Sequence, residues 1–206
     1  MKTDPSPDDK PASRGERLFR SLQRLAREVA AAEDEKKRYS SIFDKGDLAA
    51  LRRLEPGGNV PPTCWPFWRF ALDVLEADDL IDLEDERSIA QWATLLRAAA
   101  ELGALCESAG KGPPDLRLGS ALALAEVNEQ RLLQLLRADR ARLPDLVRTA
   151  CRQLKSRGQS VDLTDLGRLL DSAGKDYGEK VRRRVATDYF RTLNSESKKK
   201  GAASAA

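Results

Sequence analysis

Apolar residues recur along this chain with the spacing of a helix face. From residue 14 to residue 193 they return every three or four positions, which is the period of an α-helix. No segment shows the alternation of apolar and β-branched residues that is typical of a half-buried strand. The sequence therefore predicts an all-α fold.

Prolines, glycines and capping residues divide this pattern into segments. The sequence predicts a first helix over 14–39, a short helix from Asp47 at its N-cap to a stop at Pro56, and a third helix that opens near Thr63 with Pro66 in its first turn. Further helices are predicted over 88–107, 118–127, 129–139, 144–157, 163–171 and 177–193. Their predicted N-caps are Asn128, Asp162 and Asp176, with Pro144 in a first turn and Gly158 as a stop.

Aromatic residues are concentrated in the third predicted helix. We expect its core contribution to come from some combination of Trp65, Phe67, Trp68, Phe70 and Leu72. The tryptophans Trp65, Trp68 and Trp92 all lie in apolar stripes, which favours core packing over base stacking.

A change in charge balance coincides with the segment 108–115, which holds two glycines and two prolines. Residues 1–112 carry 17 basic and 21 acidic side chains, whereas residues 113–193 carry 16 and 11. We therefore expect two small subdomains, an N-terminal helical one over 14–112 and a C-terminal four-helix bundle over 113–193. The polar segments 1–13 and 194–206 are expected to be disordered.

The composition argues against several classes of function. The chain has no histidine, which removes Ser-His-Asp and Cys-His nucleophiles and histidine-bearing metal sites. Its cysteines, Cys64, Cys106 and Cys151, are spaced like neither a disulfide framework nor a metal knuckle, and they are interpreted as small buried hydrophobes. We expect no catalytic residues, no metal site and no cofactor.

Neither a membrane segment nor a secretory signal is visible. Mean hydropathy is −0.54, and no apolar run approaches the length that spans a bilayer. The first residues carry charge and proline where a signal peptide would be apolar. A soluble, cytoplasmic protein without a membrane partner is expected.

Basic residues gather on the helix faces of the second half. At about 100° per residue, Arg148, Arg152 and Lys155 share the side of their helix opposite Val147 and Leu154. Similar basic rims are formed by Arg131, Arg137 and Arg140 on the preceding helix and by Lys180, Arg183, Arg184 and Arg191 on the last one. Taken singly, each face is better interpreted as ordinary solvated surface, but three such faces in one half of the chain favour phosphate binding.

A further stripe of arginines lies on the first predicted helix. It consists of Arg17, Arg20, Arg24 and Arg27. This stripe is weaker evidence for nucleic-acid binding than the faces of the second half, because Glu16, Glu28 and Glu33 lie nearby and can pair with it.

Eight carboxylates crowd the segment 73–86 and could in principle hold magnesium. The segment lacks the glycine and the alternating spacing of a calcium loop. It is better interpreted as a solvated connection whose charge favours the N-terminus of the next helix.

Several segments resemble the CasB family, the small subunit of the type I-E CRISPR surveillance complex called Cascade. They are LAALRRL, PFWRFAL, LGSALALAEVNEQRLLQLLRADRARLPDLVRTACRQLKSRG and VDLTDLGRLLDSAGKDYGEKVRRRVATDYF. The similarity covers about residues 46–193, and the LLRADR block is its most specific part. Leu163 departs from the family pattern, which usually has tryptophan after the aspartate.

The resemblance implies a two-part, all-helical, non-catalytic protein, present in two copies within a ribonucleoprotein complex. It implies contacts with the backbones of guide RNA and of target and non-target DNA, and with the backbone subunits and the large subunit of Cascade. Its role there would be to stabilise the R-loop and the displaced strand during antiviral interference. The nucleic-acid-binding residues so implied, together with the basic face noted above, are Arg52, Arg53, Arg131, Arg137, Arg140, Arg148, Arg152, Lys155, Arg183 and Arg184.

Two other functions stay open at this point. A helical DNA-binding transcriptional regulator would read bases through a few side chains and would depend on sequence. A magnesium-dependent nuclease built on the segment 73–86 ranks last. Asp139 could form an internal ion pair with Arg137 or Arg140, and it is left out of the site.

Overall fold

The protein is built from α-helices, which confirms the predicted fold class. The structure is a computed structural model that describes residues 12–37, 40–107, 116–172 and 178–204, with the side chains of the last helix described as far as residue 198. The helices of these residues are α1 (Arg14–Glu33), α2 (Lys45–Arg52), α3 (Trp65–Phe70), α4 (Glu86–Leu102), α5 (Leu118–Leu124), α6 (Glu129–Arg137), α7 (Leu143–Ser156), α8 (Leu163–Asp171) and α9 (Gly178–Ser204).

Capping side chains fix where the first helices begin. At α1 the Ser13 hydroxyl accepts the N–H of Glu16, and the Glu16 carboxylate accepts the N–H of Ser13. Asp44 and Asp47 make the same reciprocal pair at α2. The expected N-cap at Asp47 was therefore wrong by three residues, since Asp47 is the inner member of a capping box.

The cap residues predicted for the second half are confirmed where they are described. The side chains of Asn128 and Asp162 cap α6 and α8, and Pro144 lies in the first turn of α7. Gly158 follows α7 with a φ of 63°, a left-handed conformation that suits a helix stop. Asp176 lies outside the described residues.

Helix α1 is shorter than the predicted 14–39. It ends at Glu33, where Asp34 turns to extended backbone and its carboxylate accepts the N–H of Lys36. Glu33 at the same point bonds away from α1, to Arg52 and to the N–H of Ala104. The local turn and these long-range bonds together end the helix.

The aromatic helix α3 continues directly into a π-helical turn, Ala71–Glu76. Phe67 and Phe70 are fully buried, as expected, and Trp68 is half-buried. The core assignment of Trp65 was wrong, because this side chain at the exposed start of α3 keeps 71% of its surface. Leu72, at 48%, is likewise exposed.

One continuous apolar core joins the two halves of the chain. It runs from Leu22 in α1 to Tyr189 in α9, and α4 packs against α2 on one side and against α7 and α8 on the other. The boundary near residue 113 and the four-helix bundle stay predictions, since the segment 108–115 lies outside the described residues.

A short parallel strand pair departs from the expectation of no strands. Cys106 and Glu107 (β1) pair with Val161 and Asp162 (β2). Two residues on each side are too few to produce a period in the sequence, so the pairing was not visible there.

Helix α9 continues beyond residue 193 as far as Ser204, through a segment whose composition predicts disorder. Adding a residue to an existing helix requires no new nucleus, so α9 can propagate through polar residues. From Asn194 to Lys198 the side chains are exposed or half-buried. The segment is therefore an extension of α9 rather than part of the core.

The three cysteines are buried free thiols. Burial raises the pKa of the Cys151 thiol from 9.0 to about 12, with Glu101 acting in the same direction. The thiol thus keeps its proton in the folded protein at a pH where the unfolded chain loses it.

Helices α5 and α9 approach each other closely at Gly119. A Cβ atom added at this residue of α5 would lie 2.1 Å from the Val185 carbonyl oxygen of α9. The two backbones are therefore too close to accept any side chain at residue 119 without moving apart.

We expect the Gly119→Ala variant to unfold at lower urea, with a loss of about 3 kcal/mol, because overpacking displaces backbone here. Gly15→Ala is the matched control: the added Cβ meets only the Ser13 hydroxyl at 3.9 Å, and alanine favours a helix. Equal stability changes in the two variants would contradict the close contact.

Stability should also fall as the pH rises above 9. The unfolded chain then binds fewer protons than the folded protein, which costs about 1.4 kcal/mol per pH unit for Cys151. Urea unfolding at pH 9 and pH 10.5 should show a steeper loss for the wild type than for Cys151→Ala. Burial also raises the pKa of Tyr189, but this contribution is common to both proteins. Parallel losses would exclude Cys151 as the cause.

Candidate nucleic-acid interface

The basic face of α7 forms as its periodicity predicts. Val147 and Leu154 are fully buried, whereas Arg152 and Lys155 are exposed and Arg148 is half-buried. Arg148 and Arg152 lie on the side of α7 that is next to α4, where Arg152 is near Glu101.

Two acidic side chains lie beside this face, although the sequence places none among its basic residues. Arg148 Nη2 is 3.7 Å from a carboxylate oxygen of Asp145, and Arg152 Nε is 4.0 Å from one of Glu101 on α4. Both distances exceed those of a hydrogen bond, so the carboxylates offset the charge only in part.

Arg97 is a cation that sequence reasoning missed. It lies on α4, is only 7% exposed, and donates through Nη1 to the carbonyl oxygen of Leu54, just past α2. Burial lowers the pKa of its guanidinium, and repulsion from Arg148 and Arg152 adds to that effect. A lone arginine in the otherwise apolar run WATLLRAAA was the available signal.

The end of α2 lies next to the start of α7. At Gly57, where φ is 66°, an added Cβ would be 3.2 Å from Pro144 Cγ. Arg53 is exposed just past α2, and its side chain makes no hydrogen bond or ion pair with a described residue. The fold thus brings Arg53 of the first half close to the beginning of the α7 face.

Arg52, by contrast, is bound inside the protein. Its Nε donates to the carbonyl oxygen of Ala100 at 2.7 Å, and its Nη2 lies 2.8 Å from a carboxylate oxygen of Glu33. These bonds tie α2 to α1 and α4. Arg52 is therefore placed as a structural residue, although the resemblance includes it in the site.

The three arginines of the α6 region are exposed and have different neighbours. Arg131 donates to the Gln153 side chain at 2.9 Å. Arg137 lines a groove of about 750 Å³ that also contains Leu133, whereas Arg140 lines a separate cavity of about 430 Å³ beside Pro144.

Asp139 has a local structural role in place of the ion pair considered from the sequence. Its carboxylate accepts the N–H of Arg142 at 2.8 Å, and its carbonyl oxygen accepts the N–H of Leu143. These bonds shape the turn into α7.

The two candidate arginines of α9 differ as Arg53 and Arg52 do, one being exposed and the other held by a carboxylate. Arg183 is exposed, whereas Arg184 forms an ion pair with Asp165, which is 5% exposed. Asp165 also accepts the N–H of Leu118 at 3.3 Å. Arg184 therefore neutralises a buried carboxylate that holds α5, α8 and α9 together.

The arginine stripe of α1 is less neutralised than its neighbouring acids suggest. Glu28 accepts the N–H of Ile42, and Glu33 bonds to Arg52 and Ala104. Arg20, Arg24 and Arg27 line a groove of about 460 Å³ with Asp73 and Asp78 on its other wall, and none of the three makes an ion pair with a described residue.

The acidic segment 73–86 is used for structure. Asp78 accepts the hydroxyl of Ser21 at 2.6 Å, Asp79 pairs with Arg17 at 3.3 Å, and Asp85 caps α4. Among the described residues no group of His, Cys, Asp and Glu side chains is placed to hold a metal ion. No helix in that part of the chain is long and apolar enough to cross a membrane.

Fold and surface together define an all-α protein whose later helices present exposed arginines. The chain belongs to the family of CRISPR-associated protein Cse2, also called CasB, whose family model matches residues 47–190. It is thus a small subunit of the CRISPR Cascade complex, in a family of structural subunits. No curated protein and no solved structure matches the chain significantly.

We expect Arg52→Ala and Arg53→Ala to separate structural from exposed arginines. Arg52→Ala removes the donor that Arg52 offers to the Ala100 carbonyl oxygen and leaves Glu33 with only the N–H of Ala104, so the free energy of unfolding should fall by about 1–3 kcal/mol. Arg53→Ala should change it by no more than about 0.5 kcal/mol. Urea unfolding measures both, and equal losses would contradict the distinction.

Proposed function

We propose that this subunit binds the nucleic-acid backbone within the type I-E Cascade complex. In this role it stabilises the R-loop between guide RNA and target DNA and holds the displaced non-target strand, without catalysing a reaction. The observation that carries the proposal is the exposure of Arg53, Arg137, Arg140 and Arg152 inside the segment that the Cse2 family model matches.

The chemistry of these side chains suits backbone rather than bases. Guanidinium groups bind phosphate oxygens in a bidentate manner and release counterions, which gives affinity without sequence preference. Sequence discrimination then comes from pairing between guide and target. The near balance between the R-loop and the original duplex means that a few such contacts are enough to shift it.

The exposed arginines are the better candidates for direct contact. The side chains of Arg53, Arg137 and Arg140 make no hydrogen bond or ion pair with a described residue. Arg52 and Arg184 are held by Glu33 and Asp165. The proposed contact set, drawn from the exposed or half-buried members of the sequence-based list, is Arg53, Arg131, Arg137, Arg140, Arg148, Arg152, Lys155 and Arg183.

The partners proposed are guide RNA, both DNA strands, the backbone subunits and large subunit of Cascade, and a second copy of this chain, all in the cytoplasm. Two copies would extend the basic surface along the displaced strand. The complex would hold the two copies so that their basic surfaces follow one strand, which a single small subunit cannot do.

The proposal predicts a shorter R-loop lifetime when Arg53, Arg137 and Arg140 are replaced by alanine in assembled Cascade. Each single-strand phosphate contact contributes about 0.7 to the slope of log affinity against log salt, so the loss of three contacts should flatten the slope by about 2. Lifetimes at several salt concentrations, on matched and seed-mismatched targets, measure this. Discrimination between those targets should change little.

The control replaces Arg20, Arg24 and Arg27, which removes the same charge from α1, outside the segment that the family model matches. An equal loss in the control would show a general charge effect and contradict the assignment. A loss confined to particular target sequences would favour a base-reading regulator.

A further inference from the structure

Helix α3 and the π-helical turn that follows it carry an exposed apolar face. Trp65 and Leu72 keep 71% and 48% of their surface, and Trp68, between them in the sequence, is half-buried. Residues three, four and seven positions apart lie on the same side of a helix, so these three side chains share one face. Leu133 and Phe190, the other large apolar side chains exposed among the described residues, lie on two different helices.

Trp68 is held in place within this face. Its indole Nε1 donates to the carbonyl oxygen of Pro61 at 3.1 Å, and its ring packs edge-on against the fully buried Phe67. A fixed aromatic surface loses little conformational entropy on binding. Tryptophan is also enriched among the residues that contribute most to protein–protein interfaces. The face is therefore suited to binding another protein.

The charge beside this face is negative. Asp73 and Glu76, which follow Leu72 in the π-helical turn, are exposed, and neither makes an ion pair with a described residue. Arg69, the one cation of the segment 65–76, donates to the carbonyl oxygen of Ile42 and lies near a carboxylate of α2. Free carboxylates repel phosphate and attract lysine and arginine, which can also lie over an exposed indole ring.

We infer that Trp65, Trp68 and Leu72 bind a protein subunit of Cascade where that subunit presents an apolar side chain flanked by lysine or arginine. The apolar residues supply the buried contact, and Asp73 and Glu76 select a basic protein surface over nucleic acid. The inference rests on the proposed function for the presence of the partner subunits. It adds a protein-binding face distinct from the arginines proposed to contact nucleic acid.

The test is retention of this chain in Cascade assembled with guide RNA and without target DNA. The complex is captured through a tag on another subunit and diluted, and the amount of this chain that stays bound gives its dissociation constant. Trp65→Ala should weaken binding by about 30-fold, as expected for a tryptophan at the centre of an interface. Because Trp65 is exposed, urea unfolding of the free variant should match the wild type. Unchanged retention would overturn the inference.

A matched control is Phe190→Ala, which removes another exposed aromatic side chain and should leave retention unchanged. An equal loss in this control would show a general effect of apolar surface and contradict a localised face. Glu76→Gln tests the charge of the partner: it should slow association and reduce the dependence of association on salt. Faster association would contradict a basic partner.

Two measurements on the free protein separate other occupants of the face. Wild type and Trp65→Ala should bind a single-stranded oligonucleotide equally and should have the same mass in solution. Weaker oligonucleotide binding by the variant would assign the face to base stacking, and loss of a wild-type dimer would assign it to a second copy. Either result would overturn the inference.

The outcomes also separate this inference from the proposed function. Loss of retention in Trp65→Ala, together with an unchanged R-loop lifetime in the variant of Arg53, Arg137 and Arg140, would keep the protein-binding face and reject the proposed function. Unchanged retention together with a shorter lifetime would do the reverse.

Discussion

Burial of α4 is the packing interaction on which the rest of the structure depends. From Trp92 to Leu102 nearly every side chain of this helix is removed from water, with α2 on one side and α7 and α8 on the other. The apolar area so buried is the main favourable term for joining the two halves of the chain. It also sets the distance between the end of α2 and the face of α7, and therefore the spacing of the cations that these elements carry.

Arg97 is the exception on this helix, and it shows how the fold and the surface are coupled. A buried arginine without a full set of acceptors lowers stability. Its position is nevertheless determined by the same packing that buries its neighbours Leu96 and Ala98. The apolar core around Arg97 offsets this local cost.

The helices and the α7 face could be predicted because they depend on near neighbours in sequence. Asn128 caps the helix that begins one residue later, and Arg148 and Arg152 share a face because they are four positions apart. The roles of Arg52 and Arg184 could not be predicted in this way, because each is decided by a carboxylate 19 residues distant that only the folded chain brings close. The core assignment of Trp65 was wrong for a related reason, since periodicity does not say which residue at a helix start faces the core.

The contact at Gly119 has a mechanical consequence. Because the backbones of α5 and α9 touch there, neither helix can slide or rotate past the other without a clash, and packed interfaces deform in discrete steps rather than continuously. The contact at Gly119 therefore resists sliding of α5 against α9.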